Sequence, residues 1–87
     1  MGIDNQRSMV FTGEVLKAVD SNAYTYIQVR SPQGEQRWLA APRQPLQPGQ
    51  SIRYPEGVMM RNFYSKKLKH QFGEIWFVPA IELKRLP

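Results

Sequence analysis

The sequence predicts a small all-β domain, and three features predict it. Residues 23–30, AYTYIQVR, alternate between two faces with a period of two, the repeat of a pleated strand. Proline and glycine recur at short intervals between apolar runs, the spacing of turns between short strands. Apolar residues take helical spacing only across residues 62–72, so helix has a single candidate segment.

Taken in order, residues 1–8 are polar and are expected to be a disordered leader to the domain. Residues 9–19, MVFTGEVLKAV, are rich in β-branched and aromatic side chains and predict a first strand. Gly13 lies within it, and an internal glycine predicts a bulge or bend that curls the strand. Asp20, Ser21 and Asn22 supply a turn. The second strand, residues 23–30, puts Ala23, Thr25, Ile27 and Val29 on a core face and Tyr24, Tyr26, Gln28 and Arg30 on the other. Ser31-Pro32-Gln33-Gly34 reads as a hairpin turn, leading to a third strand over residues 35–41, EQRWLAA. Residues 42–49 hold three prolines and exclude regular structure. A fourth strand spans residues 51–54, Pro55-Glu56-Gly57 breaks it, and a fifth spans residues 74–78. Residues 80–87 read as a tail that docks or forms a short helical turn.

Five short strands with one long connection predict a strongly curved domain over residues 9–79. A five-stranded OB-fold-like barrel fits this order best, and an SH3-like barrel second.

The chain has 87 residues, the length of one domain. It has no cysteine, which excludes disulfides and thiolate metal sites. Twelve Lys and Arg stand against seven Asp and Glu, for a net charge of +5. That excess favours anionic partners, nucleic acid among them. No apolar run is long enough to span a membrane, and MGIDNQRS lacks the hydrophobic core of a signal peptide. A monomer is expected.

Residues 59–78, MMRNFYSKKLKHQFGEIWFV, concentrate aromatic and cationic side chains. On one reading Arg61, Lys66, Lys67 and Lys69 neutralise phosphates while Phe63, Tyr64 or Trp76 stack on bases. On the plainer one Phe63, Leu68, Phe72, Ile75 and Phe77 are core and the lysines are solvated. A second candidate surface is Tyr24, Tyr26, Arg37 and Trp38, aromatic and basic residues of a strand pair that carries ligands in OB-folds. These same side chains also suit cross-strand packing. His70 with Met59 and Met60 offers soft ligands but no recognised ligand spacing, so no metal or other cofactor is expected. With no cysteine and one histidine, no nucleophile, base and orienting group can be assembled. A non-enzymatic binding module is therefore expected.

Several short motifs, in order, resemble the NrfJ-related family of small bacterial proteins with an OB-fold. They are Gly13-Glu14-Val15, Tyr24-Thr25-Tyr26, Gly34, and Trp38 with Ala40 and Pro42. Gly49, Met60, Asn62, Phe63, Ser65-Lys66, Leu68, Phe72, Ile75 and Phe77-Val78 follow. The chain departs from the family pattern at Lys67-Leu68 and at His70-Gln71-Phe72. The resemblance covers about residues 12–78. It implies an OB-fold and an exported, periplasmic or lipid-anchored protein, whose leader would be absent from this chain. It also implies an accessory role beside a respiratory or envelope complex, exerted through protein contact. That role stands as the alternative to binding single-stranded nucleic acid or another polyanion through Tyr24, Tyr26, Arg37, Trp38, Arg61, Lys66, Lys67 and Lys69.

Overall fold

The computed structural model of the chain describes residues 9–84; the expected disordered segment, residues 1–8, lies outside them. Seven strands form: β1 (Phe11–Asp20), β2 (Tyr24–Arg30), β3 (Gln36–Pro42), β4 (Ser51–Tyr54), β5 (Val58–Ser65), β6 (His70–Phe77) and β7 (Glu82–Leu83). They make one mixed sheet in the order β5-β6-β3-β2-β1-β4-β7. Every pairing is antiparallel except β3 with β6. The all-β expectation holds. The count of five strands does not, and the sheet is not closed by hydrogen bonds, since β5 and β7 are its edges.

Both extra strands come from segments given another reading above. Residues 62–72 form no helix; they belong to the β5–β6 hairpin and its turn. Phe63 and Phe72, whose spacing suits one face of a helix, are direct cross-strand partners, so the hairpin brings them together equally well. The turn is built by Lys69 at φ 52° and by the Leu68 amide, which donates to Ser65 Oγ at 3.2 Å. The tail docks as a strand: Ile81 is buried in the core, and β7 pairs with β4 through Ile52–Leu83 and Arg53–Glu82.

The bulge in β1 also lies elsewhere than Gly13. Gly13 pairs regularly with Ile52, and the ladder to β2 slips between Val15 and Lys17, leaving Leu16 as the extra residue. Gly13 serves closeness instead, since a Cβ there would stand 3.1 Å from the Val29 Cβ.

Apolar side chains collect on both sides of β2 and β3. Thr25, Ile27 and Val29 are fully buried as expected, whereas Ala23, expected on the same face, precedes β2 and is exposed. Ile27 and Val29 join Val15, Leu39, Ile52 and Val78 in the main core. Thr25 Oγ1 lies 2.8 Å from Asp20 Oδ1, to which it donates, and accepts the Gln44 amide at 3.0 Å. That bond ties the proline-rich connection to the sheet. On the opposite side, Tyr26 and Ala40 pack with Phe72 and Ile75 of β6 in a second cluster, flanked by Trp38, Phe63 and Phe77.

Strict alternation would point Phe72 and Ile75 to opposite sides of β6. Asn62, at φ 56°, resets the pleat: the Asn62–Gly73 rung is missing, while the rungs on either side keep one register. Phe63 and Phe72 beyond the break, and Ile75 and Phe77 before it, therefore bury on one side.

Between β4 and β5 the chain crosses from one end of the sheet to the other in three residues, Pro55, Glu56 and Gly57. Gly57 lies directly on β6. A Cβ at this position would meet the Phe77 carbonyl oxygen at 2.3 Å and Val78 Cγ1 at 2.8 Å. Because the obstacle is backbone, Gly57→Ala is expected to destabilise the fold by roughly 2–4 kcal/mol. Gly73 has nothing within 4 Å of its would-be Cβ, so Gly73→Ala is expected to change stability by less than about 1 kcal/mol. Urea unfolding of the two variants checks the contrast.

Candidate binding cleft and cationic arm

On β3, Arg37 alternates with Leu39 and Ala41, which puts it on the main-core side of the sheet. It sits at the mouth of that core among aromatic rings. Its Cζ lies 4.6 Å from the Trp76 ring centroid and 5.6 Å from that of Phe11. Phe11 in turn stacks on Tyr54, with centroids 5.4 Å apart. Cation–π contacts of this kind contribute about 0.5–2 kcal/mol each, enough to hold the guanidinium without a carboxylate. Among the described residues Arg37 forms no salt bridge; the ion pairs are Arg30–Glu14, Arg43–Asp20 and Arg53–Glu82.

These groups line a cleft of about 640 Å³, bordered also by Trp38, Glu74 and the polar β2–β3 turn with Ser31, Gln33 and Glu35. A smaller hollow shares Phe11, Arg37, Tyr54 and Trp76 and continues to Gly57 and Val78. The larger volume falls in the range of small-ligand sites, about 300–1,000 Å³.

The β5–β6 hairpin is an arm with two unlike sides. One carries Phe63, Phe72, Ile75 and Phe77 into the second cluster. Residues next to these in sequence point the other way, and direct cross-strand partners share a side. Glu74 with its partner Arg61, and Gln71 with its partner Tyr64, therefore face outward. Tyr64 is 52% exposed. Lys66, Lys67 and Lys69 are exposed at the turn. Since Glu74 and Trp76 line the cleft, the outer side of the arm is continuous with it.

The residues expected to form one ligand face are thus divided. Arg37, Arg61, Lys66, Lys67 and Lys69 lie along the cleft and arm. Tyr26 does not present an open ring: it is 5% exposed and lies under Phe72, centroids 5.8 Å apart and planes 15° from parallel. The outward row of tyrosines is corrected accordingly, because the arm folds over that face and buries it. Tyr24 is 38% exposed and meets Phe77 edge-on at 5.5 Å. It stands at the base of the arm, and the lysines at its tip; the seven steps from Phe77 to His70 span ~23 Å. Trp38 shares a side with Tyr26 and is half-buried against Phe72, 5.1 Å away and edge-on.

His70 lies edge-on to Phe72 at 4.4 Å. Met60 is five rungs down the arm from Ser65–His70, so the thioethers and the imidazole do not converge. Among the described residues no three His, Asp or Glu side chains gather as a metal site. No helix there is long and apolar enough to cross a membrane.

Phe11, Tyr54 and Glu74 belong to the cleft but were not expected there. The signal for the cleft was the alternation of Arg37 with Leu39 and Ala41, which turns Arg37 toward the core. No signal linked Phe11 to Tyr54, because their pairing depends on the β1–β4 register.

No family model matches the sequence, no curated protein matches it, and no solved structure matches the fold.

Burial raises the pKa of the Tyr54 hydroxyl above its ordinary 10.0, and the charge and hydrogen bonding of the neighbouring Arg37 act in the opposite sense without overcoming it. The neutral phenol is thus favoured by folding. Its contribution to stability is complete below pH 10 and is lost as pH rises through the higher folded value. Relative to Tyr54→Phe, the wild-type protein is expected to lose stability only above about pH 10, measured by denaturant unfolding across the alkaline range.

Proposed function

We propose that the chain is a non-enzymatic binding module built on an OB-type barrel plan, and that it holds single-stranded nucleic acid or a similar polyanionic oligomer. Strand order supports the barrel plan. A β1–β2–β3 meander is followed by a strand antiparallel to β1, and the hairpin's last strand runs parallel to β3. In this plan β4 and β5 are two halves of one strand, interrupted at residues 55–57, and the arm is the long hairpin that follows.

The observation that carries the ligand class is the cationic track. Arg61, Lys66, Lys67 and Lys69 lie along the arm from beside the Arg37 cleft to its tip, exposed, with Tyr64 exposed among them. Cations along a groove track phosphates, and an exposed aromatic ring supplies a stacking surface of about 1–3 kcal/mol per base. Tyr26 has no part in this version of the site.

One feature favours a second reading, an accessory protein that works by protein contact. On the arm's other side, Val58 and Met60 oppose Phe77 and Ile75 and are 65% and 44% exposed. The resemblance to NrfJ-related proteins, with the exported setting it implies, belongs to that reading.

Anisotropy titration of a labelled single-stranded oligonucleotide at several salt concentrations separates the two. Four phosphate contacts, from Arg61, Lys66, Lys67 and Lys69, predict a slope of log K against log salt of about −3. Changing Lys66, Lys67 and Lys69 together to Ala is expected to reduce its magnitude by about 2. No binding at low salt, or binding without a salt slope, contradicts the phosphate-contact reading.

A further inference from the structure

The cleft carries two opposed recognition groups that the phosphate track does not use. Arg37 presents a guanidinium fork, held on Trp76 at 4.6 Å with no carboxylate partner among the described residues. Glu74 lies two residues before Trp76 on β6 and lines the same cleft. Residues two apart on a strand point to one side, ~6.8 Å apart. A donor fork and a carboxylate acceptor are thus mounted on one wall, with Phe11, Tyr54 and Trp76 bordering the space.

A phosphate does not fit this setting. Glu74 and Glu35 both line the cleft and would repel it. A flat ring with an acceptor pair on one edge and a donor pair on another does fit. Among the bases, guanine has both. Its O6 and N7 accept from a guanidinium fork, the commonest specific arginine contact. Its N1–H and exocyclic amine donate to a carboxylate. Adenine presents an amine beside N7, which clashes with a second donor. Cytosine and thymine lack the fused ring and N7.

We infer that the cleft is a guanine-selective base pocket, in which Arg37 reads O6 and N7 and Glu74 accepts from the Watson–Crick edge. This rests on the nucleic-acid reading above and adds base selectivity to it. The lysines and Arg61 hold the flanking phosphates without regard to sequence, while the cleft holds one base. The site lies at the mouth of the main core, on the other side of β3 from buried Tyr26.

Single-stranded oligonucleotides identical except for one central base test the pocket. Guanine is expected to bind about 10-fold or more tightly than adenine, cytosine or thymine. Hypoxanthine, which lacks the exocyclic amine, is expected to lose much of that advantage. Glu74→Gln should erase the guanine–hypoxanthine difference while leaving the salt slope intact. Arg37→Lys should lower the preference for guanine over adenine. Free guanosine is expected to change tryptophan fluorescence with the same base preference. Equal affinity for all central bases, with the salt slope retained, overturns the pocket and leaves the nucleic-acid reading standing. Absence of binding by every oligonucleotide overturns both. A fluorescence response to a zwitterionic dipeptide but not to guanosine overturns the pocket and assigns the cleft to a peptide.

Discussion

The close approach of Gly57 to the carbonyl of Phe77 is the contact on which the rest of this structure depends. The chain pairs along β1, stops at Pro55, and three residues later pairs along β6 at the far end of the sheet. Only a residue without Cβ passes there, because the obstacle is backbone rather than a side chain able to swing aside. This crossing links the ends of an otherwise open sheet and sets where β5 begins. From that start follows which residues of the arm turn toward the second cluster and which toward the cleft.

A second local device finishes the arrangement. Asn62 adopts a left-handed conformation, which asparagine tolerates better than most residues. By resetting the pleat it lets four aromatic and aliphatic side chains of the arm bury on one side. Phe72 lies at the centre of that side, against Tyr26, Trp38 and Phe63. Burial of a phenylalanine stabilises by about 1.5–3 kcal/mol. The three ion pairs join side chains that are about half exposed, and such pairs contribute about 0–1 kcal/mol. The arm is therefore held by its apolar side, and its charged side faces outward. Burying Tyr26 beneath the arm removes a potential stacking surface, and the open cleft forms on the opposite side of β3.

The sequence disclosed the parts governed by local rules. The alternation of AYTYIQVR correctly placed Thr25, Ile27 and Val29 in the interior, and Pro55 and Gly57 marked the break after residue 54. Division of residues 59–78 into an apolar set and a cationic set also matches their burial. What remained hidden depended on contacts distant in sequence. Helical and hairpin geometries both unite Phe63 with Phe72, so periodicity did not decide between them. Tyr26 reads as outward on its own strand, and only the folding of the arm over it reverses that. The Phe11–Tyr54 stack needs the β1–β4 register. The role of Gly57 needs the approach of β6, which nothing in a PEG tripeptide announces.

On the proposed function, one side of the molecule, from the Arg37–Trp76 cleft along the outer face of the arm to its lysine tip, meets the ligand. Mapping amide and indole NMR shifts during addition of a short guanine-containing single strand tests it most directly. Shifts are expected at the Trp76 indole and Arg37, then at Arg61, Tyr64 and residues 66–69, with Val58 and Met60 unmoved. Shifts confined to Tyr24, Val58 and Met60, or no shifts at all, would contradict it.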